Sequence, residues 1–345
     1  MFNVVNIIPT GVGAAIGGFA GDANPFNSVL ESICDNVITH PNAVNAANLY
    51  PASPKTLYVE GFALDRFLRG EINLKRSFNK IGIIIDKKAQ PKMIHILNAI
   101  NATSAVFGAD IIAYTITENE IGAKITKEDT GLFGGIIDNK ETIYQSCEKL
   151  ISKGATAIAI FAVLENPYEE EENNYILGNS VDPIGRIEAM ISHLIVEKTN
   201  LPAAHAPVFL DDYQRIVSDP RVAAEEIGFT YIPCVIRGLQ FAPSFVSNTY
   251  FSHDSLAVND IDAVIAPLSV MNGDWTKSCI TKNISIIGVA ENTTALNDTP
   301  ENMNISDKVI VADNYLEAIG ILSSLKSKVS YKSLRRPLKP ILRID

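Results

Sequence analysis

Short, near-continuous runs of apolar and β-branched residues alternate along this chain with longer stretches whose apolar residues recur at helical spacing. That alternation limits the available folds more than any single motif does. "KIGIIID" (80–86) leads into "PKMIHILNAINATSAVFG" (91–108), a helix ended by Gly108, and then into "ADIIAYTIT" (109–117). "ETIYQSCEKLISKGATAIAIFAVL" (141–164) repeats the scheme, with Gly154 at the end of its helix. Strands without polar alternation are buried on both faces, and parallel neighbours need a crossover helix between them. The prediction is an α/β protein, mainly parallel sheet with helices on both faces.

Both ends of the chain extend the pattern. "FNVVNII" (2–8) reads as a strand, and "NPFNSVLESICDN" (24–36) as a helix capped at Asn24, with Pro25 in its first turn. "VIT" and "TLYVE" follow as strands, then a short helix "ALDRFLRG". In 182–200, Ile184, Ile187, Ile191, Leu194 and Ile195 form one helical stripe. Further strands are expected at 201–209, 229–236, 261–268, 284–290 and 308–313, with "NYLEAIGILSSLK" as a last helix. A chain of 345 residues has room for two lobes with a cleft between them. The acidic, proline-containing stretch near 166–183 divides an N-terminal lobe (1–165) from a C-terminal one (175–330), and 331–345 form a basic tail. Within the divide, "EEEENN" (169–174) reads as a solvated loop.

Charge and cysteine usage narrow the setting. The 29 Lys and Arg against 39 Asp and Glu give −10, which argues against a nucleic-acid partner. No run approaches the roughly 18 uncharged apolar residues of a membrane span. The N-terminus runs straight into a strand without a basic leader, so export and membrane association are not expected. Cys34, Cys147, Cys234 and Cys279 are scattered, with no CxxC pair, and fit a reduced, cytoplasmic compartment. The expected partner is a small-molecule ligand, and homo-oligomers are compatible with this composition.

In parallel sheets, ligands bind beyond the carboxyl ends of strands. Those ends carry Thr10 and Gly11, His40, Glu60, Asp86, Glu165, His205, Ser269, Glu291 with Asn292, and Asp313. Polar residues collect there in any case, because strands finish at the surface. "VITHPN" and "AAHAPV" stand out, since each puts a histidine at an apolar strand end beside a proline. Histidine is the side chain whose unperturbed pKa suits proton transfer near neutrality. His40 and His205 are therefore candidate catalytic groups, with Glu60 and Glu291 beside them. His95 reads as packed within a helix, His193 as solvated and His253 as a loop residue. No HExxH motif or close His/Asp cluster supports a bound metal, and no cofactor is expected. After Glu291, the side chains of Asn292, Thr293 and Thr294 are placed to orient a polar ligand group, or simply to cap a helix. Ser269 and Asn272 in "PLSVMNGDW" form a similar loop, and Trp275 either roofs a pocket or packs.

The glycine-rich bend "TGVGAAIGG" (10–18) invites a phosphate-binding reading through Gly11, Gly13, Gly17 and Gly18. It lacks the Lys-Ser/Thr pair of a nucleoside-triphosphate loop. Ile16 stands where a dinucleotide fingerprint needs glycine, and "THP" replaces the ribose-binding acid. A two-cysteine racemase is disfavoured as well: Glu291 holds one strand end, and Cys234 falls inside a predicted strand. Two readings remain, an amide-lined anion cradle and a close-packed turn.

Together "PTGVGAAIGGFAGDA", "ITHPNAVNAANLY", "YVEGFALDRF", "VDPIGRIEAMISHLIV", "AHAPV", "AEEIGFTYIPCVI" and "VAENTT" resemble an uncharacterised family of proteins of this length, found chiefly in cyanobacteria and related plastid lineages. The resemblance covers nearly the whole chain. It implies a photosynthetic source and a soluble protein of the cytoplasm or plastid stroma, but it brings no catalytic residues with it. The expectation is thus an acid–base enzyme of isomerase, lyase or hydrolase type, acting on a carboxylate- or phosphate-bearing metabolite. A metabolite-binding module without turnover and an assembly factor using the basic tail are the alternatives.

Overall fold

Every residue of β1 (Asn3–Asn6), β2 (Asn36–Thr39) and β3 (Thr56–Tyr58) is buried, as expected of strands covered on both faces. The computed structural model describes residues 1–19, 21–44, 55–210, 217–223, 231–338 and 340–344. β1 pairs in parallel with β2 on one side and with β14 (Ala263–Pro267) on the other. β15 (Ser285–Val289) and β16 (Val309–Ala312) complete a six-stranded parallel sheet of order β3-β2-β1-β14-β15-β16. That is the strand order of doubly wound dinucleotide-binding sheets, which reverses between the first and fourth strands. The order by itself assigns no ligand.

A second sheet is built from the middle of the chain. β5 (Lys80–Ile85), β6 (Asp110–Ile116), β9 (Ala157–Ala162) and β11 (Ala203–Pro207) are parallel, in the order β6-β5-β9-β11. Two small sheets flank the pair. β4 (Ile72–Lys75) joins β12 (Ser244–Ser247) and β13 (Ser255–Leu256), while the hairpin β7 (Ala123–Lys127) and β8 (Phe133–Ile137) carries β10 (Leu164–Glu165). Both parallel sheets take strands from either side of 166–183, so the stretch expected to divide two lobes is crossed by each of them.

Helices cover both faces of each sheet, which makes the protein α/β. α1 (Asn24–Ile33) and α11 (Tyr315–Lys326) pack on the outer face of the first sheet, through Leu30 and Leu322 against Val4 and Ile287. α4 (Met93–Phe107) and α9 (Ile232–Gln240) cover the outer face of the second. Between the sheets lie α3 (Gly61–Arg69), α5 (Lys140–Ser152), α7 (Gly185–Thr199) and α10 (Asp274–Thr281), joined in one core with Val5, Ile84 and Ile158. Phe67 and Leu68 of α3 are fully enclosed there, each contributing about 1.5–3 kcal/mol by burial. Short helices α2 (Pro41–Val44) and α8 (Pro220–Ala223) complete the set with α6 (Glu169–Ile176). Among the described residues no helix is long and apolar enough to cross a membrane.

Three local expectations change. "EEEENN" begins α6 rather than a loop, because four glutamates in a first turn face the positive end of the helix dipole. Residues 232–236 form the start of α9, with Pro233 in its first turn, so Cys234 lies in a helix. A short apolar run reads equally well as strand or buried helix. His95 is exposed, because α4 buries the stripe of Ile96, Ile100 and Thr103 instead.

Candidate functional site between the two parallel sheets

A cavity of about 570 Å³ opens where the carboxyl ends of β1, β2 and β3 face α7 and β11. Four of the strand-end residues named from sequence line it: Thr10, His40, Glu60 and His205. They come from four different strands and both sheets. Trp275, from the start of α10, closes part of the same wall.

Glu60 is set by its place at the end of β3, where it caps α3. Its Oε2 accepts the amides of Phe62 (2.9 Å) and Ala63 (3.2 Å), and among the described residues Oε1 carries no hydrogen bond. The side chain is only 5% exposed. Burial outweighs the two amide bonds and pushes its carboxyl up to about 7. A carboxyl at that value holds its proton about half the time at neutral pH, so it can both give and take one.

The histidines behave in the opposite way. The Nε2 of His40 accepts the amide of Ile8 at 2.9 Å, which puts the ring proton on Nδ1 and ties β1 to the end of β2. Burial pushes this ring down to about 4. His205 lies within β11, its Nδ1 at 2.9 Å from the Oγ of Ser192. The Ser192 hydroxyl is within reach of both His205 Nδ1 and the carbonyl of Ala189 (3.2 Å), so the imidazole tautomer sets which of Oγ and Nδ1 donates. The ring's Nε2 stands 3.9 Å from Oε2 of Glu188, and burial pushes His205 down to about 3. Both candidate histidines are therefore neutral at pH 7, while a carboxyl titrates there instead.

α7 supplies a set of site residues that sequence reading passed over. Asp182, in the turn before the helix, accepts the amide of Ile184 at 2.9 Å, and burial raises its carboxyl to about 6. Asp182 is less enclosed than Glu60. Glu188 and Ser192, one turn apart, line the cavity from the helix face beside the apolar stripe. His193, expected in solvent, is half-buried and stacks on Phe62 with ring centroids 4.2 Å apart. Burial lowers its pKa. The available signal was Gly185, where an added Cβ would meet Thr10 Cγ2 at 2.8 Å. A glycine in a helix's first turn marks a close approach, here between α7 and the end of β1.

The glycine-rich bend is a packed turn. Gly13 and Gly17 have left-handed φ of +63° and +78°. A Cβ at Gly13 would meet Val181 Cγ2 at 2.9 Å, one at Gly17 would meet Ile8 Cδ1 at 2.5 Å, and one at Gly18 would meet the Ala14 carbonyl oxygen at 2.1 Å. Three of the loop's amides are engaged inside the protein. Ala15 N donates to Thr293 O (2.9 Å), Ile16 N to Asn292 Oδ1 (2.9 Å) and Gly17 N to Asp22 Oδ1 (2.6 Å). Thr10 reaches the cavity wall, whereas Gly11, Gly13, Gly17 and Gly18 do not line it.

The stretch from 291 to 294 serves that turn rather than the cavity. The Asn292 amide donates to Ile16 O (2.9 Å) and Tyr315 Oη (2.7 Å), which anchors the bend to α11. Glu291 is exposed, and its Oε1 accepts the amide of Tyr315 at 2.6 Å, at the first turn of α11. Ser269 and Thr294 bond each other through their hydroxyls at 2.7 Å. Thr293 and Asn272 are exposed. None of these six residues lines the cavity.

A protein-family model described as "Protein of unknown function (DUF3326)" matches residues 3–335. A protein of Synechococcus sp. carrying the name "Uncharacterized lipoprotein" is 36% identical over 326 residues, which cover 94% of this chain and 90% of that protein. The matched span contains both parallel sheets and the whole cavity wall.

Proposed function

The chain belongs to the DUF3326 family, whose function is unknown, and we propose that it is an enzyme performing acid–base chemistry on a small metabolite held between its two parallel sheets. One observation carries this reading. Glu60, enclosed at a strand end and open to the cavity, has a carboxyl pushed to about 7, where proton transfer at neutral pH is most efficient. In this reading Glu60 moves the proton. His205 presents a neutral Nε2 opposite Glu188 and orients the substrate, while His40 holds the ends of β1 and β2 together. Such a site suits isomerisation, elimination or hydrolysis. The loop amides of residues 15–17 have no part in it, because protein acceptors already take them.

The test is incubation of the protein with a cell metabolite extract in D₂O, followed by mass spectrometry. A metabolite converted to product, or carrying deuterium on carbon, is the expected result. A metabolite that stabilises the protein but emerges unchanged and unlabelled would replace the enzyme with a binding module.

We also place the chain in solution, in a compartment that keeps thiols reduced, since all four cysteines are buried and none is in a disulfide. The name of the Synechococcus relative describes that protein as a lipoprotein. Cell fractionation is expected to recover this chain in the soluble pool without detergent; recovery only from membranes would overturn the placement.

A further inference from the structure

The charges around the cavity point to the kind of molecule it takes. Four carboxyl side chains line it, those of Glu60, Asp65, Asp182 and Glu188. Among the described lining residues there is no lysine, and Arg186 is the one guanidinium. Its Nη1 donates to Glu128 Oε1 (2.6 Å) and to the carbonyl of Phe133 (3.2 Å), neither of which belongs to the cavity wall. His40 and His205 sit in hydrogen bonds that suit neutral rings. A carboxylate or phosphate would enter among four carboxyl groups, with Arg186, whose Nη1 is already engaged elsewhere, as the one guanidinium of the described lining.

Two further observations point to a ligand. Glu60 is only 5% exposed, its Oε2 is held by two amides, and its Oε1, which carries no hydrogen bond among the described residues, is left to the cavity, where a donor from the ligand would meet it. The wall also holds Trp275 and Tyr231, and aromatic side chains combined with carboxylates are the usual surroundings of organic cations. The acidic and imidazole groups are dispersed, and among the described residues no three or more gather at metal-binding spacing. A volume of about 570 Å³ is that of a metabolite site.

We propose that the cavity takes a small organic cation, an alkylammonium or guanidinium compound, with its charge answered by Glu60 and the neighbouring carboxyls and its carbon frame against Trp275. The proposal rests on the preceding reading for the location of the site, but not for its chemistry. An ammonium N–H donated to Glu60 Oε1 would fill the open acceptor.

The test is isothermal titration calorimetry of the full chain at low salt, with putrescine and agmatine as cations and succinate and glycerol phosphate as anions of similar size. The amines are expected to bind and the anions not to. Glu60→Gln and Glu188→Gln should each weaken amine binding at least tenfold. Glu170→Gln, the same charge change on an exposed residue of α6, should leave it unaltered. Anions binding instead of amines, amine binding indifferent to Glu60→Gln and Glu188→Gln, or no binding would each overturn the proposal. An anion that binds and is turned over defeats the cation proposal and leaves the acid–base reading standing. An amine that binds and returns unchanged and unlabelled does the reverse.

Discussion

Glu60→Gln is expected to cut turnover by about 10²–10⁴-fold while making the protein more stable in alkali. The two effects share one cause. Burial raises the Glu60 carboxyl to about 7 in the folded chain, against an ordinary value of 4.5. A raised folded-state value means the native state binds the proton more tightly, so this stabilisation is complete below pH 4.5 and is lost as pH rises through 7. By pH 9 the wild type has lost up to about 3 kcal/mol at this position. Glutamine is neutral throughout, and its amide oxygen can still accept from Phe62 and Ala63. Denaturation at pH 5 should find variant and wild type nearly equal, and at pH 9 the variant ahead. If the variant were weaker by the same amount at both values, Glu60 would be a helix cap and nothing more. His40 and His205 act in the opposite sense, losing their contribution as pH falls from 6.5 toward 4 and 3, and they cancel in the comparison.

The second large effect falls on the glycine-rich bend. Gly18→Ala is expected to cost about 3 kcal/mol or more, because the new Cβ would lie 2.1 Å from the carbonyl oxygen and 2.9 Å from the amide of Ala14. The obstacle is backbone, which no side-chain rotation can clear. The bend is also fastened at Ala15, Ile16 and Gly17, so it has little freedom to give way. Gly320→Ala provides the comparison. That glycine lies in α11 with nothing within 4 Å of an added Cβ, so alanine there should stabilise by about 1 kcal/mol. Thermal denaturation of the two variants should move in opposite directions. A Gly18→Ala protein as stable as wild type would contradict the packed-turn account.

The parallel strands were legible because burial on both faces leaves a local trace, an unbroken apolar run such as 80–86. The small sheets left none: β4 and β12 carry polar residues and run for only four residues each. Four strand ends of the cavity could be named in advance because strand ends meet by topology. Glu188, Ser192 and His193 could not, since a search for the apolar stripe of α7 discards whatever lies beside it. The assignment of roles inverted for a related reason. An unperturbed pKa recommends histidine, but enclosure lowers an imidazole and raises a carboxyl, and enclosure is not written at a residue's own position. The glycines of 11–18 stood out in the sequence without saying whether they formed a cradle or a close-packed turn. The acceptors of the Ala15 and Ile16 amides are Thr293 and Asn292, nearly the whole chain away.

The strand order also sets a timetable for the newborn chain. Val4 of β1 lies opposite Ala263 of β14, so the middle of the first sheet cannot close until the last quarter of the protein leaves the ribosome. The second sheet has all its described strands by residue 207 and its covering helix α9 by residue 240, so it can fold while the first waits. At about 5–20 residues per second, the interval between β1 and its later neighbour is on the order of tens of seconds. Throughout that time three apolar strands carry an unpaired edge, the kind of surface that invites stray pairing between nascent chains. Chaperone demand during synthesis should therefore peak before residue 263 emerges and fall away once β14 docks.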